Sequence, residues 1–343
     1  MVTITDVANA AGVAPSTVSY VISGKRSISP KTRRLVEESI RKLGYHPHAG
    51  ARALASSRTN VLALVIPLRA DQNVTVVMEF VASVALTARA HRHDLLLITQ
   101  DEGPAALQRV ASSALADALI MMDVEADDPR VPMLVALDRP AVLIGVPTAP
   151  TGLTCVDLDF TAAGSECVSH LAKLGHRAIA LVGPSPAVYQ RGTSYATRFL
   201  WGFEASAADC GVRVSSRPCA HSYDAVSACL DELFESDPAL TGLVVHNEAV
   251  LSAVLADLGR RGRRIPADIS VVAVCPDSMA ENHLVSLTTV AIPTGDLGTI
   301  AVEMSLERLA GRVLTETRLI APKLTVRGST ALVNPRPFSE YFR

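Results

Sequence analysis

Ile4-Thr5-Asp6-Val7-Ala8-Asn9-Ala10-Ala11-Gly12-Val13-Ala14-Pro15-Ser16-Thr17-Val18-Ser19-Tyr20-Val21-Ile22-Ser23 has the pattern of two short helices joined by a glycine turn. Thr3 stands three residues before Asp6, where its hydroxyl caps the first helix while the carboxylate suits the positive helix end. Gly12 permits the left-handed residue that stops the helix, and Pro15 fits the first position of the next. Ser29-Pro30-Lys31-Thr32 then opens a third helix, with Leu35, Val36, Ile40 and Leu43 as its expected buried stripe and Gly44 as its stop. A helix-turn-helix sets the start of its second helix against base edges in the major groove of DNA.

Charge is segregated in the same sense. Residues 1–60 carry nine Lys/Arg against three acids, a net of +6, whereas the whole chain is −2. A basic segment on an otherwise acidic chain is what release of counterions from phosphates requires. Aromatic residues make up only 4% of the chain, too few for a platform that stacks single-stranded bases. The six cysteines (155, 167, 210, 219, 229, 275) have no Cys-x-x-Cys spacing and read as reduced, buried thiols, so no metal and no cofactor is expected. No leader and no membrane-length apolar run is apparent, which predicts a cytoplasmic protein without a membrane partner.

From Asn60 onward the character changes. Apolar runs recur at 61–66, 95–98, 118–122, 141–144, 178–182, 243–245 and 269–274, most of them separated by stretches of helical spacing such as 74–91 and 161–174. Short apolar strands alternating with helices indicate parallel sheets covered on both faces, and seven of them predict two doubly wound lobes.

These features carry a specific resemblance. Thr3-Ile4-x-Asp6-Val7-Ala8-x-x-Ala11-Gly12-Val13, Thr17-Val18-Ser19 and Ala51-Arg52-x-Leu54 resemble the headpiece of the LacI family of bacterial transcriptional regulators. The likeness continues through Asp157-Leu158-Asp159, His170-Leu171-x-x-Leu174-Gly175-His176-Arg177, Arg198-x-x-x-Gly202-Phe203, Val245-His246-Asn247-Glu248 and Ile265-Pro266-Ala267-Asp268-Ile269. It implies an all-α helix-turn-helix headpiece over 1–58, with a hinge helix at 48–56, and a two-lobed α/β domain like periplasmic binding proteins over 59–343. The chain is expected to cross between lobes near 155–160, 290–293 and 320–323.

The resemblance also assigns roles. Pro15, Ser16 and Tyr20 face bases, Thr17 and Ser19 hold phosphates, Ser29 belongs to the same DNA-contacting set, and Leu54 wedges into the minor groove. The partners implied are a palindromic double-stranded operator, a second copy of the chain and a small effector between the lobes. Asp159, Arg198, Asn247 and Cys275 are the implied effector-binding residues. Relatives that bind sugars commonly carry an aspartate where this chain has Gly145, and Gly-aromatic-Asp-Asp where it reads Ala273-Val274-Cys275-Pro276-Asp277. A less acidic pocket follows, so a carbohydrate-like inducer and a less polar co-repressor both stay open. His91-Arg92-His93, at a helix end, reads as solvated basic residues suited to the negative helix dipole. A periplasmic binding protein needs a signal peptide and gives residues 3–58 no role. No nucleophile elbow, phosphate loop or dinucleotide fingerprint supports an enzyme.

Overall fold

The computed structural model describes residues 2–23, 26–45, 58–100, 103, 105, 107–109, 115–137, 139–150, 152–313 and 315–333. The expected hinge helix at 48–56, with Leu54, lies outside the described residues.

Helices α1 (Ile4–Ala11), α2 (Pro15–Ser23) and α3 (Pro30–Leu43) form the N-terminal unit. Thr3 and Asp6 cap α1 reciprocally: the Thr3 hydroxyl accepts from Asp6 N–H, and Asp6 Oδ2 accepts from Thr3 N–H at 2.8 Å. The Thr3 backbone N–H, then its hydroxyl, holds the Asp6 pKa below the ordinary value. Val7, Ala8, Val18, Val21 and Val36 close a small core, joined by Tyr45 just past α3. The expected stripe on α3 needs correction. Val36 is fully buried and Ile40 half-buried, but Leu35 is 44% and Leu43 36% exposed. Leu35 points about 100° away from Val36 on the helix, and Tyr45 supplies the bulk that Leu43 was expected to give.

The remainder builds two six-stranded sheets. The first has the order β11-β5-β4-β3-β1-β2, from β1 (Val61–Val65), β2 (Asp94–Ile98), β3 (Ala118–Met121), β4 (Ala141–Ile144), β5 (Thr154–Leu158) and β11 (Thr317–Ile320), all parallel. The second has the order β12-β10-β9-β8-β6-β7, from β6 (Ala178–Gly183), β7 (Arg213–Pro218), β8 (Gly242–Val245), β9 (Ser270–Cys275), β10 (Thr288–Ala291) and the antiparallel β12 (Leu324–Thr325). The chain leaves the first sheet after β5, returns after β10 and leaves again after β11, at the three places expected.

Helices α4 (Val74–Ala90), α5 (Val131–Ala136) and α12 (Thr294–Leu309) serve the first lobe. Helices α6 (Phe160–Lys173), α7 (Pro186–Gln190), α8 (Ser194–Cys210), α9 (Tyr223–Ser236), α10 (Leu251–Arg260) and α11 (Asp277–Glu281) serve the second. Helices α6 and α8 pack backbone to backbone at Gly164 and Gly202. A Cβ on Gly202 would stand 1.9 Å from Thr161 O, and one on Gly164 2.3 Å from Phe199 O. No helix among the described residues is long and apolar enough to cross a membrane.

Candidate functional site: the cleft between the lobes

In each sheet the strand order reverses direction at one place, between β1 and β3 in the first lobe and between β6 and β8 in the second. Open α/β sheets bind ligands beyond the carboxyl ends of their strands at that point. Both reversal points open onto one cavity of about 160 Å³. Residues that follow the strands line it: Ile66 after β1, Asp123 after β3, Pro184 and Ser185 after β6, and His246 to Glu248 after β8. Its walls are largely apolar, with Val76, Val77 and Phe80 from α4 and Leu297 from α12.

Polar groups close the cleft. Asp71, in the loop after β1, accepts from Arg191 Nη2 at 2.8 Å and from Ser185 Oγ at 3.1 Å, both from the second lobe. Burial works against the Asp71 carboxylate, but Arg191 and Ser185 outweigh it and hold its pKa below the ordinary range. Backbone bonds pin the same side: Ser194 N–H donates to Val124 O at 3.0 Å and Ala126 N–H to Gly192 O at 2.7 Å. Across the cleft Glu79 accepts from Ser278 Oγ at 3.1 Å, and within the first lobe from Thr294 Oγ1 at 2.9 Å. These bonds describe a closed arrangement of the lobes.

Further in, Arg69 pairs with Asp123 and Arg198 with Asp157. Burial pushes the Asp157 carboxyl up to about 6 despite Arg198. Burial pushes Glu248 up to about 7 against its own backbone N–H, and burial alone pushes His246 down to about 3. His246 sits among Phe199, Tyr195 and Phe160, with ring centroids 4.2, 5.5 and 5.7 Å away, and its Nδ1 is enclosed without a partner among the described residues. The depressed His246 pKa gives a stability contribution present above about 6.5 and lost as pH falls towards 3. His246→Phe is therefore expected to gain on the wild type by about 2 kcal/mol between pH 6.5 and 5, since each unit is worth roughly 1.4 kcal/mol. Urea unfolding of both proteins at the two pH values measures this; a constant difference refutes it.

The expected effector residues separate. Asn247 lines the cavity, but both its amide N–H groups are spent, on Gly183 O at 3.1 Å and Cys219 O at 2.9 Å. Arg198 stands behind Asp157, its guanidinium 5.6 Å from the Phe160 ring. Asp159 caps α6 through Ala162 N–H and does not line the cavity. Cys275 is fully buried in the apolar layer of the second sheet, also off the cavity wall. Gly145 does line it, at φ 129°, and an added Cβ would meet Val124 Cβ and Cγ2 at 2.8 Å, so Val124 occupies the room of a side chain there. Carboxylates line the pocket nonetheless: Asp71, Asp123, Asp157 and Glu248. They come from segments other than the two compared. Reading the residues just past each apolar run would have found Asp123 and Glu248.

In the N-terminal unit Pro15 and Ser16 are exposed, while Thr17, Ser19 and Tyr20 are half-buried beside the buried Val18 and Val21. Arg26, which the sequence reading missed, places its guanidinium carbon 5.7 Å from the Tyr20 ring centroid. Ser29 is exposed and caps α3 through Thr32 N–H at 3.2 Å. Metal ligands are absent as a group: no three His, Cys, Asp or Glu cluster suitably among the described residues.

Residues 3–48 match the family described as bacterial regulatory proteins, lacI family, and residues 168–330 match the periplasmic binding protein-like domain. The HTH-type transcriptional regulator AglR of Rhizobium meliloti (strain 1021) is 30% identical over 350 residues, covering 95% of both chains. The chain belongs to the LacI family. Among other LacI-family relatives, the HTH-type transcriptional regulator CelR of Thermobifida fusca is 28% identical over 329 residues, covering 92% of this chain and 94% of its own. The solved transcriptional regulator CelR–cellobiose complex aligns at a TM-score of 0.66 and 26% identity, over 96% of this chain and 100% of that one. The lac repressor dimer bound to operator and the anti-inducer ONPF shares the fold at a TM-score of 0.82 and 23% identity, over 96% and 99%. As a LacI-family member the protein is a DNA-binding transcriptional regulator.

Proposed function

We propose that this regulator binds a palindromic operator as a homodimer in the cytoplasm, and that a small carbohydrate-like ligand between its lobes sets operator affinity. On this reading residues 1–58 read DNA and residues 59–343 form the effector-binding and dimerisation domain. The cavity at both reversal points carries the proposal, because it joins an apolar wall to carboxylates, the Arg191 guanidinium and an enclosed imidazole whose Nδ1 has no partner among the described residues. That the similar regulator CelR forms a complex with cellobiose supports a sugar as the ligand. Val74, Met78 and Leu86 leave an exposed apolar stripe on α4, which suits a second copy. The apolar cavity wall favours a second reading, a less polar metabolite acting as co-repressor.

Within the headpiece, Pro15, Ser16 and Tyr20 read bases, Thr17 and Ser19 hold phosphates, Ser29 belongs to the same DNA-contacting set, and Leu54 wedges at the operator centre. Tyr20 offers one hydroxyl and a ring suited to a thymine methyl, where an arginine would grip guanine with two donors. Tyr20→Arg is expected to change the preferred operator base, read by unbiased site selection on both proteins; identical operators refute it. A thermal-shift screen of carbohydrates and metabolites, followed by operator titration at fixed salt with each hit, tests the effector reading. A ligand that binds and leaves operator affinity unchanged refutes it, and the sign of the change separates inducer from co-repressor.

A further inference from the structure

Three of the four carboxylates on the cavity already hold a guanidinium: Asp71 holds Arg191, Asp123 holds Arg69 and Asp157 holds Arg198. Glu248 is the fourth. It is half-buried and has no cation within ion-pairing distance among the described residues. Its own backbone N–H favours the ionised form, and its neighbours in sequence offer acceptors. Asn247 has spent both amide N–H groups on backbone carbonyls and has only its Oδ1 left. His246 is 2% exposed and lines the cavity, and in the Nε2-protonated tautomer its partnerless Nδ1 is a further acceptor. Phe160 and Tyr195 add aromatic faces, which attract cations. Of the donors on this wall, Arg191 Nη2 and Ser185 Oγ both serve Asp71, while Arg191 Nε is enclosed without a partner among the described residues.

A carboxylate without a countercharge, beside acceptors and aromatic faces, is matched by a group that brings donors and a positive charge. An ammonium has three donors and no acceptor. A neutral hydroxyl leaves Glu248 without a countercharge in a desolvated site. We infer that the effector carries a protonated amino group seated against Glu248, with hydroxyl oxygens towards Arg191 Nε, as an amino sugar does. The inference rests on the cleft being the effector site. Glu248 selects between amine and hydroxyl at one position of an otherwise similar ligand.

Calorimetric titration of the full chain with matched pairs tests this: glucosamine against glucose, galactosamine against galactose, and the β-1,4-linked glucosamine dimer against cellobiose. In at least one pair the amine is expected to bind about tenfold or more tightly, the size of a charge-assisted hydrogen bond, and Glu248→Gln is expected to remove that preference. The wild type supplies a second readout independent of the variant's folding. Amine affinity relative to its neutral partner should fall as pH drops from 7.5 to 5.5 and Glu248 takes up a proton. Asp157, which also titrates in that window, acts on both members of a pair. Equal or tighter binding of the neutral sugars, a preference that survives Glu248→Gln, or failure of every amine to bind overturns the inference. Neutral sugars that bind and shift operator affinity would leave the cleft reading standing. An amine that binds with the expected preference but leaves operator affinity unchanged would refute the cleft reading instead.

Discussion

Gly202→Ala is expected to cost about 3 kcal/mol or more of folding free energy, the upper end of what overpacking does in a close-packed interior. The added methyl would stand 1.9 Å from Thr161 O and 2.7 Å from Thr161 C. Those are backbone atoms at the first turn of α6, so relief requires sliding α8 away from α6 rather than turning a side chain. Phe199 and Phe203, both fully buried on α8, would lose packing in the same movement. Gly259→Ala on α10 is the control: a Cβ there meets nothing within 4 Å, and alanine is the better helix former. Urea unfolding should give a large loss for the first and no loss, or a slight gain, for the second. Equal stabilities would mean that the two helices do not approach as closely as described.

Arg198→Ala is expected to destabilise strongly at pH 8 and much less at pH 5.5. Asp157 is buried, and burial already raises its pKa to about 6 with Arg198 beside it. A carboxyl whose folded pKa lies above its unfolded value helps stability at low pH and loses that contribution as pH rises through the folded value. Removing Arg198 deprives the ionised form of its partner and moves that value further up. Breaking a buried pair from one side costs about 3–5 kcal/mol when the remaining charge stays ionised; the partial exposure of Arg198 places the expected loss near the lower figure. At pH 5.5 protonation removes the charge, leaving the packing of the arginine stem. Asp157→Asn added to Arg198→Ala should flatten the pH dependence. An equal loss at both pH values would contradict the described pairing.

Much of this was legible in the chain because the signals were local. Thr3 and Asp6 announce the cap of α1 by spacing alone, and the apolar runs at 61–66, 118–122, 178–182 and 269–274 became β1, β3, β6 and β9. The strands that were missed are of another kind. β7, read Arg213 to Pro218, is an edge strand whose side chains are exposed or half-buried, and β11 is an exposed edge as well. Neither needs the continuous apolar face that a central parallel strand does. β5 is wholly buried but opens on Thr154 and contains Asp157, which disguised it as a crossover. At the cleft, Asp71 with Arg191 and Asp157 with Arg198 are joined only by the fold, across 120 and 41 residues, and no spacing rule reports such pairs. His246 and Glu248 were visible as residues following a strand. That no cation stands beside Glu248, and no partner beside His246 Nδ1, among the described residues was not, because a missing partner is a property of three-dimensional surroundings.

The central claim is that occupancy of the cleft sets the grip on DNA. Its most direct test is a fluorescence-anisotropy titration of a selected operator at fixed ionic strength, with and without a ligand shown by calorimetry to occupy the cleft. A ligand changes such an equilibrium only through unequal affinity for the two lobe arrangements. Coupling of about 1–3 kcal/mol moves the midpoint roughly 5- to 150-fold. The account predicts a shift of that size in the wild type and a smaller one in Asp71→Ala, which lacks the bond between Asp71 and Arg191 across the lobes. An unchanged midpoint with the cleft demonstrably occupied would contradict it.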